Sequence, residues 1–151
     1  PALAKRGLEF DVSAILAGQV GDGQLRMFNH YLAGNFIEAT VDTPFFQIGE
    51  NKYGKPILDR VVTFETSLAD AAKCALISIG SALRSNISVG PPIDLLVYHR
   101  DALKVATHQT VNEDDAYFER VRKVWSGRAA GVVCRNRRPA LGRTVACPAT
   151  R

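Results

Sequence analysis

The sequence predicts an α+β chain in which antiparallel strands are covered by helices in layers. Three observations predict it. The apolar residues follow a strand pattern in the first forty positions, switch to helical spacing across residues 56–86, and return to a strand pattern at residues 93–106. The resulting order is three strands, two helices, two strands and one helix, which is not a succession of βαβ units. The third observation is residues 66–86, TSLADAAKCALISIGSALRSN, where Leu68, Ala71, Ala72, Ala75, Leu76, Ile79, Ala82 and Leu83 form one helical face without an intervening Pro.

In order along the chain, FDVSAILAG at residues 10–18 reads as a largely buried strand. Gly21-Asp22-Gly23 breaks it, and residues 24–28 resume the extended pattern, so the pair makes a hairpin. A phosphate loop is the rival, but no GxGxxG is present and no helix follows. Residues 30–34 read as a loop and FIEATV at 36–41 as a third strand. The apolar run Phe45-Phe46-Gln47-Ile48 ends at Gly49. Pro56 sits at a helix start, with Ile57, Leu58, Val61 and Val62 at helical spacing.

Thr66 or Ser67 supplies an N-cap oxygen for the long helix, Asp70 suits its first turn and Arg84 its last. Pro91-Pro92 forbids helix, after which IDLLVY at 93–98 is a buried strand paired through His99-Arg100-Asp101 with residues 102–106. Asn112 to Asp115 caps a last helix running to about Trp125.

The chain has 151 residues and is 46% hydrophobic, enough for one domain with a sizeable core. No apolar run approaches the roughly 20 residues of a membrane span, and no secretory leader is recognisable, so a cytoplasmic location without a membrane partner is expected. Three cysteines without a CxxC pair suit a reducing compartment. The formal net charge is +4, yet residues 127–151 carry six Arg and no acid, leaving 13 Lys and Arg against 15 Asp and Glu in residues 1–126. The basicity belongs to the tail, which lacks periodicity and reads as neither helix nor strand. One reading makes it a basic arm attracted to RNA or a membrane surface. The preferred one makes it out-of-frame translation of a GC-rich gene, and no nucleic-acid partner is then expected.

The segments FFQIGENKYGKPILDR, SLADAAKCALISIGSALRSN and SVGPPIDLLVYHRDAL together resemble a proteasome-type β subunit, more narrowly the bacterial Anbu (ancestral β subunit) family. The resemblance runs from about Phe10 to Ser126. YGKPILDR at 53–60 and residues 84–94 are its most specific parts. It implies the N-terminal-nucleophile hydrolase fold, a four-layer αββα sandwich. It also implies peptide-bond hydrolysis by a threonine exposed as first residue, whose own amine serves as base with help from a lysine and carboxylates. Family members carry those groups in their opening strands. The chain is expected to be the C-terminal part of such a subunit, residues 1–126, without the nucleophile: Pro1 is not a threonine, and neither Lys5 nor Asp11 takes the lysine or acid role.

The resemblance also locates supporting positions. Where proteasome subunits carry Gly-Ser-Gly before the helical pair, this chain has Gly49-Glu50-Asn51. Where they carry an Asp and, three residues on, a Ser, an ungapped match puts Asn86 and Val89, and a register shifted by one puts Ser85 and Ser88. Either way the acid is lost. Glu50, Asn86 and Ser88 are the candidate active-site rim, set against a plainer reading of Glu50 as a loop residue and Asn86 as a helix cap.

No cofactor or metal is expected. His30, His99 and His108 lack ligand spacing, Asn112-Glu113-Asp114-Asp115 lacks the spacing and Gly of a calcium loop, and Cys74 reads as a core thiol. The expected partners are a peptide or protein substrate of the parent subunit and further copies of the chain, in a ring or spiral. A non-catalytic, self-assembling scaffold subunit is the alternative from another class, and a basic-tailed nucleic-acid-binding protein a third.

Overall fold

The computed structural model describes residues 12–31 and 34–135. Strands β1 (Ala14–Gly18), β2 (Arg26–His30) and β3 (Phe36–Glu38) form one antiparallel sheet in the order β1-β2-β3. Helices α1 (Lys55–Val61) and α2 (Leu68–Ser85) follow, then a second antiparallel sheet of β4 (Ile93–Tyr98) and β5 (Val105–Val111), and finally α3 (Ala116–Arg135). This is the mixed α and β order that the change of hydrophobic period predicts. Residues 10 and 11 of the expected first strand, Lys5, and residues 136–151 of the tail lie outside the described residues.

The long helix forms where its stripe predicts. Ser67 is the N-cap, its Oγ accepting from the Asp70 N–H at 3.1 Å, and Asp70 then pairs with Lys73 at 2.8 Å. At the other end the Asn86 N–H bonds the Ala82 carbonyl at 2.8 Å and closes the last turn. The apolar face of α2 meets two neighbours. Leu76 joins Val111 and Phe118 in a small core, with Leu83 and Ile93 packed against it. Phe118, only 1% exposed, anchors α3, whose N-terminus is capped by Asp115 Oδ1 accepting from the Phe118 N–H at 2.7 Å. On the α1 side the approach is closer still. Gly54 precedes α1 and is buried against Ser78, and a Cβ there would overlap the Ser78 hydroxyl and lie 3.0 Å from its carbonyl oxygen. The glycine in YGKPILDR is thus a packing requirement of the α1–α2 pair.

Three expected element boundaries need correction. The last helix continues past Trp125 to Arg135, because Arg128, Ala129 and Ala130 are strong helix formers and outweigh Gly127 and Gly131, so residues 127–135 are helical. The second hairpin turn is longer than expected, and β5 occupies Val105–Val111 in place of residues 102–106. It is held by Gln19, whose Nε2 donates to Asp101 Oδ1 at 2.7 Å while its Oε1 accepts from the Asp101 N–H at 2.8 Å. Asp101 takes a positive φ of 63°, backbone strain that these bonds offset, and Leu103, at φ 47°, donates its N–H to Tyr98 Oη at 3.2 Å. The third strand is short, and residues 44–48 lie outside the sheet, because the chain turns at 41–43 with Thr40 and Thr43 bonded to each other's carbonyls.

Against the expectation of buried strands at 10–18 and 93–98, β1 and β4 have no buried residue, and both sheets leave apolar side chains uncovered. Leu16 is 63% exposed on β1 and Leu96 58% on β4, and Phe36 and Ile37 of β3 are also exposed. On the three-stranded sheet Phe28 and Phe36 meet edge to face at 5.7 Å, and Arg26 lies over the Phe28 ring while pairing with Glu38 at 2.6 Å. Apolar strand faces of this kind gain about 1.5–3 kcal/mol for each large side chain that another layer covers.

Candidate functional site

The loop before α1 and the turn after α2 meet through one carboxylate. Gly49, at φ 77°, turns the chain so that Glu50 faces the end of α2. Glu50 Oε2 accepts from Asn86 Nδ2 at 2.6 Å, and its Oε1 accepts from the Lys52 N–H at 2.7 Å. Asn86 Oδ1 in turn accepts from the Ser88 N–H at 2.9 Å. The three candidate residues are therefore joined in one chain of hydrogen bonds linking two loops that are 36 positions apart in sequence. Asn86 both caps α2 and holds Glu50, so the plainer reading describes its backbone and the rim reading its side chain. Ser88 takes part through its main chain, and its side chain is exposed. Ser85 faces elsewhere, along a cleft between α2 and α3, and Val89 is half-buried, its N–H bonded to the Asn86 carbonyl at 3.2 Å.

Gln47 belongs to the same cluster and was hidden in the apolar run at 45–48. Its Nε2 donates to the Glu50 carbonyl at 2.7 Å, while its Oε1 is buried without a hydrogen-bond partner among the described residues. The one sequence signal for it was a lone amide in front of Gly49.

The Lys52 N–H and then the Asn86 amide hold the Glu50 carboxyl below the ordinary glutamate value of 4.5, against a smaller upward push from burial. A carboxylate held ionised by donors is a poor proton acceptor near neutral pH, so Glu50 orients its neighbours more than it exchanges protons. The sign of the linkage follows. Glu50 contributes stability above pH 4.5 that is lost as pH falls through its depressed folded value. Glu50→Gln is expected to melt below the wild type at pH 7, with the gap narrowing toward pH 3. Thermal midpoints across that range check it, and a gap that widens on the acid side would contradict the assignment.

The other candidates stay apart. His30 lies beside Phe36 at 5.6 Å, and His108 Nε2 is 3.5 Å from Asp94 Oδ1 on the exposed face of the second sheet. No group of three His, Cys, Asp or Glu able to hold a metal occurs among the described residues. Burial pushes the Cys74 thiol up, which keeps it protonated and unreactive. No helix among the described residues is long and apolar enough to cross a membrane.

Solved structures place this architecture among the proteasome-like subunits of the N-terminal-nucleophile hydrolase class. A Gly-1 mutant of Anbu from Hyphomicrobium sp. strain MC1 is 45% identical at a TM-score of 0.85, over 92% of this chain and 59% of that one. Anbu (ancestral beta-subunit) from Yersinia bercovieri is 44% identical at 0.85, over 93% and 60%. The helical assembly of the Anbu complex from Pseudomonas aeruginosa is 48% identical at 0.85, over 93% and 58%. The chain belongs to the Anbu family, and it spans about three-fifths of the length of these relatives. No family model matches the chain, and none of the curated proteins does.

Proposed function

We propose that the chain is the supporting part of a proteasome-type peptidase subunit, with its nucleophilic threonine on a strand outside the described residues. The observation that carries this reading is the 44–48% identity to Anbu structures over 92–93% of the chain. The threonine hydroxyl would attack the peptide carbonyl, its own amine would take the proton, and main-chain N–H groups would hold the oxyanion. The Glu50–Asn86–Ser88 clamp forms the rim of that site and fixes the loop geometry around it. Two further supports are the apolar faces left open on both sheets, which suit a second sheet packed against each in the four-layer sandwich. In this reading the domain part covers residues 1–126 and extends at least through the helical 127–135, and the subunit works in the cytoplasm as a homo-oligomer.

A scaffold role without chemistry is the second reading, favoured by a helical assembly formed by the Pseudomonas aeruginosa relative. Sedimentation and thermal melting of the purified 151-residue chain separate the two. The peptidase reading expects no turnover by this chain and no discrete oligomer. A homogeneous assembly with a cooperative melt would move the scaffold reading to the front.

A further inference from the structure

Two clefts lie between α2 and α3, away from the Glu50 clamp. One of about 290 Å³ is lined by Gly80, Arg84, Ser85, Arg122, Trp125 and Ser126, and it adjoins a wider one of about 580 Å³ that adds Lys123 and Glu119. Three cations and one acid face this space, and the acid is already taken, with Glu119 bonded to Lys123 at 2.7 Å. Neither Arg84 nor Arg122 forms an ion pair among the described residues.

Arg122 is held in place by its surroundings. Its guanidinium carbon lies 5.2 Å from the centre of the buried Phe118 ring. Its stem runs over Gly80, where a Cβ would come within 3.0 Å of Arg122 Cγ and 3.2 Å of Cδ. A glycine in the middle of a helix is destabilising relative to alanine. At Gly80 that cost permits the arginine to lie flat against α2. A guanidinium held in this way, with Glu119 near enough to feel its charge but in no ion pair with it, presents its planar fork of donors to the cleft. Ser85 and Ser126 add hydroxyls along the same wall.

From these features we infer that the α2–α3 cleft is a binding site for a small multivalent oxyanion, a phosphate or polycarboxylate compound. Arg84 and Arg122 grip it and Lys123 stands at the mouth. The site is independent of the peptidase reading, since no residue of the clamp enters it.

Calorimetric titration of the 151-residue chain with inorganic pyrophosphate, and separately with citrate, tests it. One-to-one saturable binding is expected, weakened about tenfold or more by Arg84→Gln and by Arg122→Met, whose unbranched stem preserves the contact with Phe118. Glu119→Gln, which frees Lys123 and removes the one acid, is expected to tighten binding. Preference for one ligand over the other identifies the oxyanion chemistry. Absence of saturable binding of both ligands, or binding that none of the three substitutions alters, would overturn the inference.

Discussion

Phe118→Ala is expected to be the most damaging single substitution, lowering stability by about 3–5 kcal/mol. The reason is the size of the core. Leu76, Val111 and Phe118 are its buried residues, with Leu83 and Ile93 packed against them, and the Phe118 ring connects α2, β5 and α3. Typical domains hold about 5–15 kcal/mol in total, so removing this ring takes a large share of what keeps α3 on α2. The cavity has little scope to collapse, because the Arg122 guanidinium rests over the same ring. Chemical denaturation checks it: the midpoint should fall, and α3 amides should exchange faster than those of β1 and β2. A midpoint shift near zero would mean that α3 is not held through Phe118.

Gly54→Ala is expected to have the second largest effect, about 1–3 kcal/mol, through overpacking. The new methyl group would collide with the Ser78 hydroxyl and press on the Ser78 carbonyl at 3.0 Å. The hydroxyl belongs to a movable side chain, whereas the carbonyl is helix backbone. Ser78→Ala in the same molecule should therefore recover part of the loss and leave the rest. Thermal midpoints of the single and double variants measure this coupling directly. A double variant no better than Gly54→Ala alone would show that the collision is wholly with the backbone.

Much of this fold was legible in the sequence because its long helix carries a complete signal. The apolar stripe, the Ser67 cap, Asp70 in the first turn and Arg84 in the last all agree, and the helix occupies Leu68–Ser85. The strand Ile93–Tyr98 was legible for a similar reason, bounded by Pro91-Pro92 before it and a polar turn after it. Less legible was anything decided by distant partners. The β4–β5 turn depends on Gln19, 82 positions from Asp101, and no local pattern announces such a bond. The extent of α3 is not legible, because residues 122–130 are exposed and so have helical propensity without a periodic stripe.

The clamp shows the same division. Resemblance pointed to Glu50, Asn86 and Ser88, and the hydrogen bonds at 2.6 and 2.9 Å join them. Gln47 could not be found in that way, since an amide inside an apolar run carries no chemistry of its own until the Glu50 carbonyl is placed beside it. The Gly54 requirement was equally invisible. It arises from Ser78, which reaches it only when α1 packs on α2.

The central claim is that this chain supports a threonine nucleophile situated outside its described residues, and intact mass after incubation with a peptide epoxyketone tests it most directly. Such a reagent requires a free α-amine beside a hydroxyl on one residue. A sample with a cooperative melt should retain its unmodified mass of 16.4 kDa and release no peptide product. Cleavage before a threonine among the described residues, with a one-to-one adduct on that threonine and peptide turnover, would contradict the account and place the catalytic centre within this part of the fold.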